Sequence, residues 1–218
     1  MSCKNPVPSL LANPVLHAKS VQDLQILMQS ELSWIENIYA IARIGITKTQ
    51  SGTVSYPQVY SGTNSKYYDI RPDSSLRAYS FFEVNNSFPV DKDQGEIIYN
   101  LSLICWYNMP KLNGEKSYDY SPELLADVLR VIRESNYNDK ISNLIADVNP
   151  EDIFNKYSLS QEDTQYLMYP YGAFKLTFDY TDIVEVACFD TFATGGEGCG
   201  IFTDGGGFSS GFSDGFEI

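Results

Sequence analysis

Histidine occurs once in this 218-residue chain, as His17, and cysteine four times, as Cys3, Cys105, Cys188 and Cys199, with no CxxC pair among them. A structural zinc site gathers about four Cys or His ligands at short spacings, so no metal site is expected. His17 sits in a proline-bearing stretch that offers no rigid mount for a catalytic base, which argues against a Ser/Cys–His–acid arrangement. Four dispersed thiols do not make a disulfide framework. Cys105 lies in an apolar run, where a free thiol behaves as a small hydrophobe, and a reducing compartment is the simpler expectation. No GxxxxGK[ST] loop and no strand-to-helix GxGxxG unit is present, and Gly195-Gly196-Glu197-Gly198 and Gly205-Gly206-Gly207 do not open a helix, so no phosphate cradle or other cofactor site is expected. No apolar run reaches the roughly 18 residues of a membrane-crossing helix, and residues 1–16 lack the basic-then-apolar layout of a signal peptide.

Basic residues are also scarce. Fifteen Lys and Arg face 28 Asp and Glu, for a net charge of −13 and a pI of about 4.4. Such a surface repels a phosphate backbone, which argues against tight nucleic-acid binding and is compatible with DNA sliding past without sticking. Against these deficits stands a surplus of aromatics, with 16 Tyr and 12 Phe. Tyrosine covers contact area at low entropy cost and keeps a polar tip, so it suits half-buried surfaces and interfaces as well as ordinary cores. Apolar residues at 43 % are enough for one substantial core.

Residues 1–19 hold three prolines and no period, and read as an extended arm. Ser20, followed by Asp23, resembles a capping box. Leu24, Leu27, Met28, Leu32, Ile35, Ile38, Tyr39 and Ala42 then recur at steps of three and four, which predicts an amphipathic helix over 21–42. Ile44 to Thr47 and Thr53 to Tyr56 flank Gln50-Ser51-Gly52 and predict a hairpin, with Pro57 and Gly62 turning its continuation into an edge or a loop. Tyr67 to Ile70 reads as a short strand closed by a turn at Arg71-Pro72-Asp73-Ser74. Strong strands are predicted over 76–84 and 96–107. In the second, Tyr99, Leu101, Leu103 and Cys105 share an apolar face while Asn100 and Ser102 give a mixed one, as in a sheet with one packed face. The glycosylation sequon Asn100-Leu101-Ser102 falls inside this strand and is read as accidental.

Ser121-Pro122-Glu123 opens a helix to about 135, with Ser121 as N-cap and a stripe of Leu124, Leu125, Val128, Leu129 and Ile132. Asn149-Pro150-Glu151 opens a shorter one to about 157, and Ser160 to Asp163 one further turn. Phe174 to Tyr180 alternates strictly and reads as the last core strand, entered through Tyr169-Pro170-Tyr171-Gly172. From 194 onward glycine alternates with Phe, Ser and Asp, a low-complexity tail. Its candidate partner contacts are Phe192, Ile201, Phe202, Phe208, Phe212 and Phe216, which a glycine-rich backbone can lay close against a neighbour. Acid pairs such as Glu162-Asp163, or Asp91 with Asp93, read as solvated loops. They lack the regular spacing of a Ca²⁺ loop, and nothing in sequence makes two of them face one another across a substrate.

The expected class is therefore α+β: an antiparallel sheet packed by a long N-terminal helix and a second helix, with an extended N-terminal arm (1–19), a core domain (20–193) and a Gly/Phe-rich C-terminal tail (194–218). Trp34-Ile35-Glu36-Asn37-Ile38-Tyr39 at a helix end, Tyr56-Pro57-Gln58-Val59-Tyr60-Ser61-Gly62, the stretch 67–73 and Tyr79-Ser80-Phe81-Phe82 follow one another in an element order that resembles the tail-completion or tail-terminator proteins of tailed bacteriophages. Among these, the neck-ring proteins of crAss-like phages of Bacteroides-type hosts look most similar. The Gly/Phe tail lies outside that pattern. The resemblance implies a virion protein, assembled in the host bacterial cytoplasm. It would form a homo-oligomeric ring with portal, neck and tail proteins as partners, with DNA passing its lumen and no membrane, cofactor or reaction. A non-catalytic surface binding module and a carboxylate-based hydrolase are the alternatives left open by the residues.

Overall fold

The computed structural model describes residues 10–14, 16–49, 52–60, 66–70, 75–85, 89–91, 95–114, 120–158 and 169–183, all within the first of two compact units, Met1–Val184 and Glu185–Ile218. In chain order these residues form α1 (His17–Glu31), β1 (Asn37–Ile41), β2 (Arg43–Thr49), β3 (Gly52–Tyr60), β4 (Tyr67–Asp69), β5 (Ala78–Val84), β6 (Val90–Asp91), β7 (Glu96–Asn108) and α2 (Met109–Asn113). They continue with α3 (Ser121–Glu134), a 3₁₀ turn at Asn138–Lys140, β8 (Ile141–Asp147), α4 (Pro150–Ile153) and β9 (Tyr171–Ile183). The main sheet has the order β1-β5-β7-β9-β8, with β6 beside β7, and a second sheet has the order β2-β3-β4. The α+β class, the N-terminal helix and the second helix are as the sequence implies. The main sheet is mixed, because β1 runs parallel to β5 while its other pairs are antiparallel.

The spine is the pair of thirteen-residue strands β7 and β9, in register from Glu96↔Ile183 to Asn108↔Tyr171. Their alternation sorts side chains strictly by face. Leu101, Leu103, Cys105, Leu176, Phe178 and Tyr180 join Val21, Leu24 and Met28 of α1 and Val128, Val131 and Ile132 of α3 in the larger core. Each such side chain taken out of water contributes about 1.5–3 kcal/mol before chain entropy is set against it. The opposite face does not match the expected single packed face. Tyr79, Phe81, Ile104 and Trp106 are buried in a second core by Val59 of β3 and by Ile153, Phe154 and Tyr157 of α4 and the turn after it.

The first helix is the largest departure from the sequence reading. It begins at His17, inside the expected arm, and ends at Glu31 instead of continuing to residue 42. Residues 35–42 are apolar at intervals that fit either period, and their backbone pairs with β5, Asn37 opposite Tyr79. Leu32, Ile35 and Ile38 are fully buried, so the stripe is core, as its period implies, but in turn and strand rather than helix. Pro57 is likewise not the end of a strand: β3 runs through it, between β2 and β4. Its carbonyl accepts from Ile70 N at 2.9 Å, just past the last β4 pair, Gln58↔Asp69. In a strand the N and C=O of one residue point to the same side, so the missing donor faces the end of the β4 ladder and costs no bond to β2. At α3 the cap position is Tyr120, one residue before the expected Ser121. The Ser121 hydroxyl instead lies 2.5 Å from the Tyr107 hydroxyl. The Tyr107 ring reaches it across Gly172, where an added Cβ would sit 2.5 Å from ring carbon. Glycine at that position thus lets β7 hold the start of α3.

Candidate functional site

The partner contacts expected in the tail, Phe192, Ile201, Phe202, Phe208, Phe212 and Phe216, lie outside the described residues, as do the turns at 71–74 and 160–163 and the acids Glu162, Asp163 and Asp93. Among the described residues no group of three or more His, Cys, Asp or Glu is placed to hold a metal ion, and no helix is long and apolar enough to cross a membrane. His17 is the first residue of α1, its ring 5.5 Å from that of Tyr99, and burial lowers its pKa from the usual 6.5. Cys105 of β7, flanked in the sheet by Ser80 of β5 and Phe174 of β9, is buried in the larger core, and its thiol pKa is raised by that burial, which makes it inert as a nucleophile.

The second sheet face carries the polar groups. Across it the side chains of Asn85, Asn100, Asp179 and Asn143 form a hydrogen-bonded row. Asn85 donates to Asn100, Asn100 Nδ2 donates to Asp179 Oδ1 at 2.6 Å, and Asn143 Nδ2 donates to Asp179 Oδ2 at 2.7 Å. The next row pairs the Ser102 and Thr177 hydroxyls at 3.0 Å. Asn100 and Ser102, the sequon residues, are thus both committed to strand-to-strand bonds. Beside these rows Glu83 is buried, with Lys156 Nζ 3.2 Å from Oε2. Burial first, and the Glu83 charge second, push the Tyr157 hydroxyl far above its usual pKa. A cavity of about 400 Å³ opens over this pair, walled also by Ala42, Ile44 and Val84. The carboxylate is matched in charge by Lys156 and the phenol is held protonated. This arrangement has the character of a structural ion pair more than of an acid–base couple, which works best with pKa values near the working pH.

The two outer strands of the main sheet are finished in different ways. An edge strand leaves a row of backbone N–H and C=O groups without strand partners. At β1 those groups meet α1: Gln25 Nε2 donates to the Ile38 carbonyl at 2.7 Å, and Ile38 N donates to Gln29 Oε1 at 3.0 Å. At β8 the residues from Ser142 to Ala146 are exposed. Asn143 has φ 53, and two residues, Asn143 and Leu144, stand opposite the single Phe178, a β-bulge that re-aims the strand. Leu144, Ile145 and the following Val148 are 42 %, 61 % and 59 % exposed.

A second exposed apolar edge lies on β2, one of the two outer strands of the small sheet. Ile44 and Ile46 share one face and are 51 % and 67 % exposed. On the other face Arg43 is tied to Gln58 Oε1 at 3.1 Å and lies 3.8 Å over the Tyr67 ring. Sequence reasoning placed the hairpin and missed β8 altogether, since Ile141 to Asp147 has neither alternation nor an apolar run. The signal that could have marked it is the cluster Leu144, Ile145 and Val148 between polar neighbours. No protein-family model matches this chain, and no curated protein matches it.

Proposed function

We propose that this chain is a structural subunit of a tailed-phage virion, one copy in a ring of the neck or tail connector through which DNA passes, and that it carries out no reaction. The observation that carries the reading is the pair of unlike apolar edges on one subunit, Ile44 and Ile46 on β2 and Leu144, Ile145 and Val148 on and after β8. Scattered exposed apolar residues need no explanation, but clusters on open strand edges are aggregation-prone unless something covers them. Two different sticky surfaces favour head-to-tail addition, in which each copy offers one surface to its neighbour and the chain of contacts closes by rotation.

Other features support the same reading. The element order of helix, sheet, helix and final strand is the order on which the resemblance to phage tail-completion and neck-ring proteins rests. An excess of 13 negative charges suits a lumen that neutralises no phosphates, so DNA slides past it. The Gly/Phe tail is no part of that support, since it lies outside the resemblance; on this reading its contacts to neighbouring neck, portal or tail proteins are Phe192, Ile201, Phe202, Phe208, Phe212 and Phe216.

Mass photometry and negative-stain imaging of the full chain, alone and mixed with portal and tail proteins, test this. Ring-shaped particles of one fixed stoichiometry are expected. Monomers at every concentration in both settings would overturn the reading, and would favour a non-catalytic surface binding module that uses the same edges on a foreign partner.

A further inference from the structure

We infer that the contact between neighbouring copies seats Ile44 and Ile46 of one β2 hairpin against Leu144, Ile145 and Val148 of the next copy, an assignment that rests on the ring reading above. Charge selects this pairing. The hairpin stretch Arg43 to Tyr60 contains Arg43 and Lys48 and no acid, on a chain that is acidic as a whole. The stretch Ile141 to Ile153 contains Asp147, Glu151 and Asp152 and no Lys or Arg. A hairpin meeting another hairpin would set like charges together, as would one β8 edge meeting another. The unlike pairing sets opposite charges beside apolar side chains, and it is heterologous by construction.

The geometry narrows the roles further. Ile44, Ile46 and Lys48 alternate onto one face of β2, so the lysine extends the apolar pair in the same direction. Arg43 points to the other face, where Gln58 and the Tyr67 ring hold it. Lys48 is therefore the cation that reaches the acids around β8. The bulge at Asn143 and Leu144 interrupts the outer ladder of β8, so a neighbour cannot add along its whole length by backbone pairing. The contact is made by side chains, with Ile145 at its centre as the most exposed large apolar residue of that edge.

Disulfide trapping tests the pairing. In the full chain with Cys3, Cys188 and Cys199 changed to Ser, two single variants are made, Ile46→Cys and Ile145→Cys. Mixed and mildly oxidised, they are expected to give a covalent dimer that neither gives alone, and the double variant a ladder of higher multiples. Independently, Lys48→Glu is expected to raise the concentration of half-assembly roughly tenfold, and Lys48→Glu with Asp147→Lys to recover most of that loss. Wild-type chain that assembles, with no disulfide in the mixture and no response to Lys48→Glu, overturns this pairing and leaves the ring reading standing. Wild-type chain that stays monomeric with and without neck proteins, together with no disulfide in the mixture of the two cysteine variants, overturns both.

Discussion

The two sides of the main sheet meet the same physical problem and solve it in opposite ways. At β1 the outward backbone groups of Ile38 are taken up by Gln25 and Gln29, which α1 carries one turn apart on the face that also buries Leu24 and Met28. At β8 no helix among the described residues covers the strand; a bulge and a row of exposed side chains face outward. A sheet edge sealed by glutamines is part of the folding unit. On the ring reading proposed above, an edge left open, apolar and acidic is a surface for a neighbouring copy. The difference separates residues whose change should cost stability from residues whose change should cost assembly only.

The comparison breaks most severely under the sealed edge. Leu24→Ala removes a fully buried side chain between α1 and the sheet, and about 2–5 kcal/mol of unfolding free energy should be lost in urea melts. A smaller loss, about 1–3 kcal/mol, is expected for Gln25→Leu, which keeps the packing volume but strands the Ile38 carbonyl in the interior. Amide hydrogen exchange should then quicken at β1 before it quickens at β9.

His17 sharpens the comparison by pH. Burial lowers its pKa in the folded chain below 6.5, so the unfolded chain takes up the proton first. Stability contributed by neutral His17 is complete above pH 6.5 and declines as pH falls below it. Melts of His17→Gln against wild type between pH 7.5 and about 5 should show a shallower decline in the variant. At the open edge, Ile145→Asp should leave the melt within about 0.5 kcal/mol of wild type while abolishing ring particles. A large loss of stability there would mean that β8 is sealed within its own subunit after all.

Much of the sheet could be read locally. The hairpin of β2 and β3, the long strands β7 and β9 and the start of α3 each carry a pattern complete within a few residues: alternation, a Gly at the turn, or a proline at a helix start. The first helix could not be bounded that way. Ile35, Ile38 and Ala42 continue a three-and-four step, and it is the distant β5, together with Gln25 and Gln29 of α1 on the Ile38 backbone and the Trp34 indole bonded to Asp127 at 2.9 Å, that holds them as turn and strand. The second core was invisible for a similar reason. Ile104 and Trp106 alternate with Cys105 and Tyr107, and nothing near them announces that Phe154 and Tyr157, some fifty residues later, cover that face.

Of the candidate site, the tail aromatics were proposed from composition, whereas the edge at β8 emerged only from the fold. Its residues look like an ordinary loop until Ser142 and Ile145 are paired with β9 and Asn143 is held by Asp179.

By itself, then, the amino-acid sequence determined the class of the fold, its strong strands and its acidic charge, because periodicity, caps and charge act over a few residues or over none. The tertiary structure alone decided where α1 stops, that both faces of the sheet are buried, and which edge is sealed and which is open. Those outcomes depend on contacts between residues far apart in the chain, whose energies no local pattern records.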